Sequence, residues 1–176
     1  MVYKSIKGCK YIFNVVIFVV LHRPIKKTET MKNILTLLLL ITSTTFFAQD
    51  YNLKRGYVAE GYDVVAYFSN KSIEGNKNFT TTFDGVKFKF STKKNLETFK
   101  KSPKKYVPEY GGYCAYAIGA KAKKVSIDPE TFEIRDGKLY LFYNSWGTNT
   151  LELWEEEGAE KLKNAADINW LKILKE

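Results

Sequence analysis

The chain reads as an α+β domain: a small antiparallel sheet built from two β-hairpins, with helices packed on one side. Two observations predict this class. Residues 79–83 (FTTTF) and 86–90 (VKFKF), and again 132–135 (FEIR) and 138–143 (KLYLFY), are β-branched or aromatic runs joined by Asp-Gly, the pair that most readily forms a two-residue hairpin turn. Each hairpin is followed by a segment whose apolar residues recur at helical spacing, and hairpins set this closely pair their strands antiparallel.

Residues 61–68 (GYDVVAYF) are apolar and β-rich and end at the turn-forming pair Ser69-Asn70, which predicts a first strand. In the first hairpin Val86, Phe88 and Phe90 alternate with Lys87 and Lys89, so one face points inward and the other meets water. Ser91 or Thr92 then offers an N-cap to a helix on which Leu96 and Phe99 share a face, and Pro103 stops it. Lys93, Lys94, Lys100, Lys101, Lys104 and Lys105 fall on its outer surface, where Glu97 is placed to pair forward with Lys101. A patch for an anionic partner is one reading of these lysines, and a solvated helix face is the simpler one.

Pro108 and Gly111-Gly112 bend the chain before the second hairpin. Beyond it, Asn149 and Glu152 stand at capping-box spacing, and Leu151, Trp154 and Leu162 trace one face of a helix. Its first turns hold Glu152, Glu155, Glu156 and Glu157, where acids oppose the positive end of the helix dipole. Asp167 is placed to cap a last short helix carrying Trp170, Ile173 and Leu174. No internal repeat is legible beyond the two similar hairpins.

Residues 31–48 have the three parts of a secretory signal: a short basic start, an apolar core at residues 37–41 and a small-residue exit at Ala48. Cleavage after Ala48 is expected, with residues 1–30 read as a leader translated from an upstream start codon. Neither apolar run, 11–21 or 34–48, reaches the roughly 18 to 20 residues a helix needs to cross a bilayer. The expectation is therefore a single domain over residues 49–176, periplasmic or secreted, with no stable membrane insertion.

Seven of the 28 Lys and Arg lie in residues 1–48, but only Glu29 of the 19 acids, so residues 49–176 carry 21 basic against 18 acidic residues. Their net charge is +3 in place of +9, and the case for a nucleic-acid partner falls with it. His22, Met1, Met31 and Cys9 go with the leader, leaving no histidine, no methionine and one cysteine. That inventory excludes Ser-His-Asp chemistry and a histidine-activated thiol, and no spacing singles out a pair of carboxylates. The chain reads as non-catalytic.

The remaining cysteine, Cys114, sits in residues 110–117 (YGGYCAYA), an aromatic and glycine-dense octet unlike anything else in the chain. Three readings stand open: a small buried hydrophobe, a contact to a metal ion or small ligand, and a thiol that is redox-active or bonded to another chain. One thiolate without imidazole or thioether is a poor start for a zinc or copper shell, which would need carboxylates such as Asp63 or Glu109, or a second chain's thiolate. Asp63, an acid in an apolar run, must find a partner if buried. Cys114 is thus the candidate metal ligand, and Asp63, Tyr110 and Tyr113 are the candidate ligand-binding residues.

Residues 61–68, 83–117 (FDGVKFKFSTKKNLETFKKSPKKYVPEYGGYCAYA), 128–144 (DPETFEIRDGKLYLFYN) and 165–170 (AADINW) together resemble exported proteins of the YHS domain family. The resemblance spans nearly all of the mature chain. It implies a small α+β domain and, as cofactor, a transition metal ion. Many such domains carry paired cysteines, one just after the second hairpin strand and one a helical turn later. Here that stretch, residues 90–95, is FSTKKN and has no thiol, so the family's metal role would fall on Cys114 alone.

Overall fold

The computed structural model describes residues 50–175. The leader and its cleavage after Ala48 lie outside the described residues. Strands β1 (Leu53–Lys54) and β2 (Tyr57–Val58) pair antiparallel, and β2 runs parallel to β4 with Tyr57 opposite Lys87. β3 (Asn76–Phe83) and β4 (Val86–Phe90) form the first hairpin and complete a sheet of order β1-β2-β4-β3. β5 (Asp128–Arg135) and β6 (Lys138–Phe142) form the second hairpin, and β7 (Asn144–Ser145) with β8 (Thr148–Asn149) a minor ribbon. The class is α+β, as the residues predict, with one difference: the two hairpins belong to separate sheets.

Each hairpin has its own helix. Thr92 caps α1 (Lys93–Lys101) by accepting the Asn95 N–H at 3.1 Å, and Pro103 ends it and opens the single turn α2 (Pro103–Tyr106). From α1, Phe99 meets Phe83, Phe88 and Phe90 with ring centroids 6.0, 4.8 and 5.0 Å apart. Truncating so buried a ring to alanine costs about 4 kcal/mol. After α3 (Ala115–Lys121), the second hairpin is covered in the same manner by α4 (Thr150–Glu156), where Trp154 lies 6.0 Å from Tyr140 and 5.5 Å from Phe142. Glu97 pairs with Lys100 at 3.1 Å instead of with Lys101.

Three expected elements differ. Residues 61–68 are not a strand: Tyr62 alone bridges to Glu74, and the chain continues as a 3-10 turn, Ala66–Ser69. Ala59, Glu60 and Gly61 have φ of 50, 55 and 86°, and the Asp63 carboxylate then accepts the N–H groups of Val65 and Ala66 at 3.0 and 3.3 Å. The apolar run is buried as a turn, so its composition is that of core and not of a sheet. The expected helix through Leu151, Trp154 and Leu162 is two helices, broken at Gly158 with φ 99°, a conformation that L side chains rarely adopt. Asp167 consequently lies inside α5 (Ala159–Ile173) and caps nothing.

The repeat also reaches further than the hairpins. Both hairpins have the same register irregularity, Thr80 opposite Lys89 giving way to Asn76 opposite Phe90, and Phe132 opposite Leu141 giving way to Asp128 opposite Phe142. In each, the first residue's side chain accepts an N–H two residues on, Asn78 to Asn76 and Glu130 to Asp128. Ahead of each hairpin the chain makes three left-handed residues in succession, Ala59-Glu60-Gly61 and Tyr110-Gly111-Gly112. A helical turn follows, and each ends on a left-handed residue, Asn70 or Ala122.

Candidate functional site

The octet is folded as a turn held by the start of the domain. Pro108 leads into a 3-10 turn, Glu109–Gly112, in which Tyr110, Gly111 and Gly112 have φ of 52, 62 and 81°. Asn52 straps it, donating its N–H to the Gly111 carbonyl at 2.9 Å and its Nδ2 to the Gly112 carbonyl at 3.1 Å. The strap passes so close that a Cβ on Gly111 would overlap the Asp50 carbonyl oxygen. Glycine is needed here twice over, for its φ and for the approach of the chain's own backbone. Tyr113 Oη donates to Asp50 Oδ1 at 3.1 Å, and Asp50 also pairs with Lys124. Burial, and then the Asp50 carboxylate, push the Tyr113 hydroxyl up to about 12.

Cys114 initiates α3 and its side chain is fully buried. Its N–H donates to the Val125 carbonyl at 3.0 Å, and its Sγ lies 3.3 Å from Thr150 Oγ1. The Thr150 hydroxyl gives its proton to the Tyr143 carbonyl at 2.7 Å, so in the Cys114 pair the thiol is the donor. A sulfur that donates inward from the core is placed neither to grip a metal as thiolate nor to attack a substrate.

Asp63 is also fully buried, among donors only. Besides the two N–H groups of its own turn, its Oδ2 accepts the Ser91 N–H at 2.7 Å, the Ser91 hydroxyl at 2.6 Å and Asn95 Nδ2 at 2.8 Å. These five bonds satisfy a carboxylate without a cation. Ser91 and Asn95 both lie in residues 90–95 (FSTKKN), the stretch without a thiol. Here both turn their protons to Asp63, and the cluster is a hydrogen-bonded knot between turn, strand and helix. Among the described residues no three His, Cys, Asp or Glu side chains gather to hold a metal ion. The donors present at Cys114 and at Asp63 do not fit a transition metal.

Of the candidate set, Tyr110 lines an open cleft. Its ring packs 5.9 Å from Tyr140 and 6.2 Å from Trp170, and its Oη donates to Asp167 Oδ1 at 2.9 Å. Burial, and then the bond to Asp167, raise its hydroxyl above the usual tyrosine range. The ring forms part of the wall of an open cleft of about 590 Å³, together with Phe83, Val107, Pro108, Trp170 and Leu171. Its charged members are Asp84, Glu109, Asp167 and Lys104. That volume suits a small organic molecule. Cys114, Asp63 and Tyr113 are not in the lining, so the structure does not bring the four expected residues to one site.

The rest of the cleft has little local signal in the sequence. Asp167 and Trp170 stand three apart on α5, a spacing that places them on one face, and read together with Tyr110 they were the available signal. Phe83 and Asp84 arrive from the tip of the first hairpin, and no local pattern announces that. Compared with protein-family models, with curated proteins and with solved structures, the chain matches none. Among the described residues no helix is long and apolar enough to cross a membrane.

Proposed function

We propose that this chain is an exported, non-catalytic binding module of the YHS kind, which takes a small ligand in the cleft beside Tyr110 and not at the Cys114 thiol. One observation carries the reading: Tyr110 lines an open cleft of about 590 Å³, whereas Cys114 is fully buried and bonded to Thr150. The absence of histidine from residues 49–176 supports the lack of catalysis.

Two measurements test it. Titration with Cu(I), Zn(II) and Fe(II) is expected to show no difference in affinity between the wild type and Cys114→Ser, and a clear loss in the variant would return the metal to the thiol. Thiol labelling is expected to be slow until denaturant is added; fast labelling of the native protein would favour the redox reading instead.

A second reading has its own support. Leu171, 62% exposed, belongs to the cleft lining, and Ile168, 58% exposed, stands three residues before it on α5, so the two leave apolar surface that another protein's side chain could cover. Replacing both with serine separates the two, since a small ligand held between Tyr110 and Trp170 loses little and a protein partner loses most of its affinity.

A further inference from the structure

The cleft's charge is unbalanced. Three carboxylates, Asp84, Glu109 and Asp167, line it against the single ammonium of Lys104. Glu109 already has a counter-ion, Lys138 at 3.2 Å. Asp84 and Asp167 have none within ion-pair reach among the described residues that opens toward the cleft. Each accepts one tyrosine hydroxyl, from Tyr51 at 3.2 Å and from Tyr110 at 2.9 Å. A carboxylate offers about four acceptor positions, so both keep open ones. The remaining walls include Phe83, Tyr110 and Trp170, whose ring faces carry the negative side of the aromatic quadrupole.

From this we infer that the ligand is a small organic cation with an apolar body, an amine whose ammonium sits between Asp84 and Asp167 while its hydrocarbon part lies against Trp170 and Phe83. Apolar area supplies contact, and the two carboxylates with the aromatic faces select the charge. An anion of the same size meets like charge on two sides. Lys104, exposed and ion-paired to neither acid among the described residues, is the one cation of the lining and opposes an incoming amine by like charge. The inference rests on the cleft being the ligand surface, and its test keeps the two apart.

Three probes with one hydrocarbon body serve: phenethylamine, phenethyl alcohol and 3-phenylpropanoate, titrated into the protein as purified from the cell that exports it. The readout is the Trp170 indole N–H signal, identified by its loss in Trp170→Phe. The amine is expected to shift this signal saturably and to bind about tenfold more tightly than the alcohol, the sum of a modest ion pair and a cation–π contact. The Asp84→Asn, Asp167→Asn double variant is expected to cut that advantage to the few-fold part that the aromatic faces supply. Lys104→Met, at an exposed position, is expected to tighten amine binding. Equal shifts from all three probes would overturn the cation and leave the cleft standing. No shift from any of them would remove the cleft as well. An amine preference undiminished in the double variant would overturn the assignment to Asp84 and Asp167.

Discussion

Asp63 and Cys114 occupy the same place in two copies of one structural unit. Each follows three left-handed residues, gives its N–H to a carbonyl at the foot of the coming hairpin, Ile73 or Val125, and reaches past that hairpin to the helix beyond. Asp63 meets Asn95 of α1 at 2.8 Å, and Cys114 meets Thr150 of α4 at 3.3 Å. The cysteine that the sequence marks out is thus the second copy's version of a buried tie, and its partner position in the first copy is the acid. Their burial and inward bonding follow from that shared structural job.

The two ties differ in strength, which sets the first prediction. Asp63→Ala strands the donors of Ser91, Asn95 and the turn in a dry interior, and is expected to lower stability by about 3 kcal/mol or more. Cys114→Ala removes one weak sulfur contact and a small volume, at about 1 kcal/mol. Urea midpoints of the two variants measure the difference; equal losses would deny the acid its role as hub.

Much of the fold is legible because its signals are local. The Asp-Gly turns, the alternation of Val86, Phe88 and Phe90, and the Thr92 and Asn149 caps are all found as read. Residues 61–68 mislead because a run buried on all sides carries no period, and the carboxylate that converts it to a turn is fixed by Ser91 and Asn95, far along the chain. The repeat hides because its two copies share geometry but few residues beyond the Gly-Tyr pairs 61–62 and 112–113 and the Asp-Gly turns: Ala59-Glu60 in one copy is Tyr110-Gly111 in the other. At the cleft, Tyr110 could be picked out by its setting, but Asp84 comes from the turn of the first hairpin and Asp167 and Trp170 from α5, far along the chain, and they meet Tyr110 only in the fold.

The strap over the octet makes Gly111 a sensitive position. Gly111→Ala must both hold a positive φ and displace the Asp50 backbone, and is expected to cost about 3 kcal/mol or more. Gly56 also has a positive φ but open space around it, so Gly56→Ala isolates the conformational part at about 1 kcal/mol. Thermal unfolding of the pair separates the two terms, and equal midpoints would mean that the strap yields freely.

Two neighbouring tyrosines should respond oppositely to losing their hydroxyls. Tyr140 is almost completely buried and its Oη has no hydrogen-bond partner among the described residues, so Tyr140→Phe is expected to be neutral or to gain about 1 kcal/mol. Tyr110→Phe gives up the bond to Asp167 and is expected to lose about 1 kcal/mol. Denaturation midpoints that move the same way would show that the Tyr140 hydroxyl is satisfied in solution.

The Tyr113 hydroxyl makes the strap sensitive to alkali. In the unfolded chain it ionises at the ordinary tyrosine value of 10.0, and in the fold only at about 12, because burial and then Asp50 disfavour the phenolate. A proton held more tightly in the folded state stabilises it fully below the unfolded value, and that stabilisation is lost as pH climbs through the folded one. The wild type is therefore expected to be more stable than Tyr113→Phe at pH near 8, by the bond to Asp50, and the margin is expected to shrink between pH 10 and about 12. Taking the difference between the two proteins cancels the other buried tyrosines, Tyr67 and Tyr110, whose hydroxyls are raised in both. Urea denaturation across this range provides the measurement. A margin that stays constant up to pH 12 would mean that the Tyr113 hydroxyl does not feel Asp50, and that the strap is held by Asn52 alone.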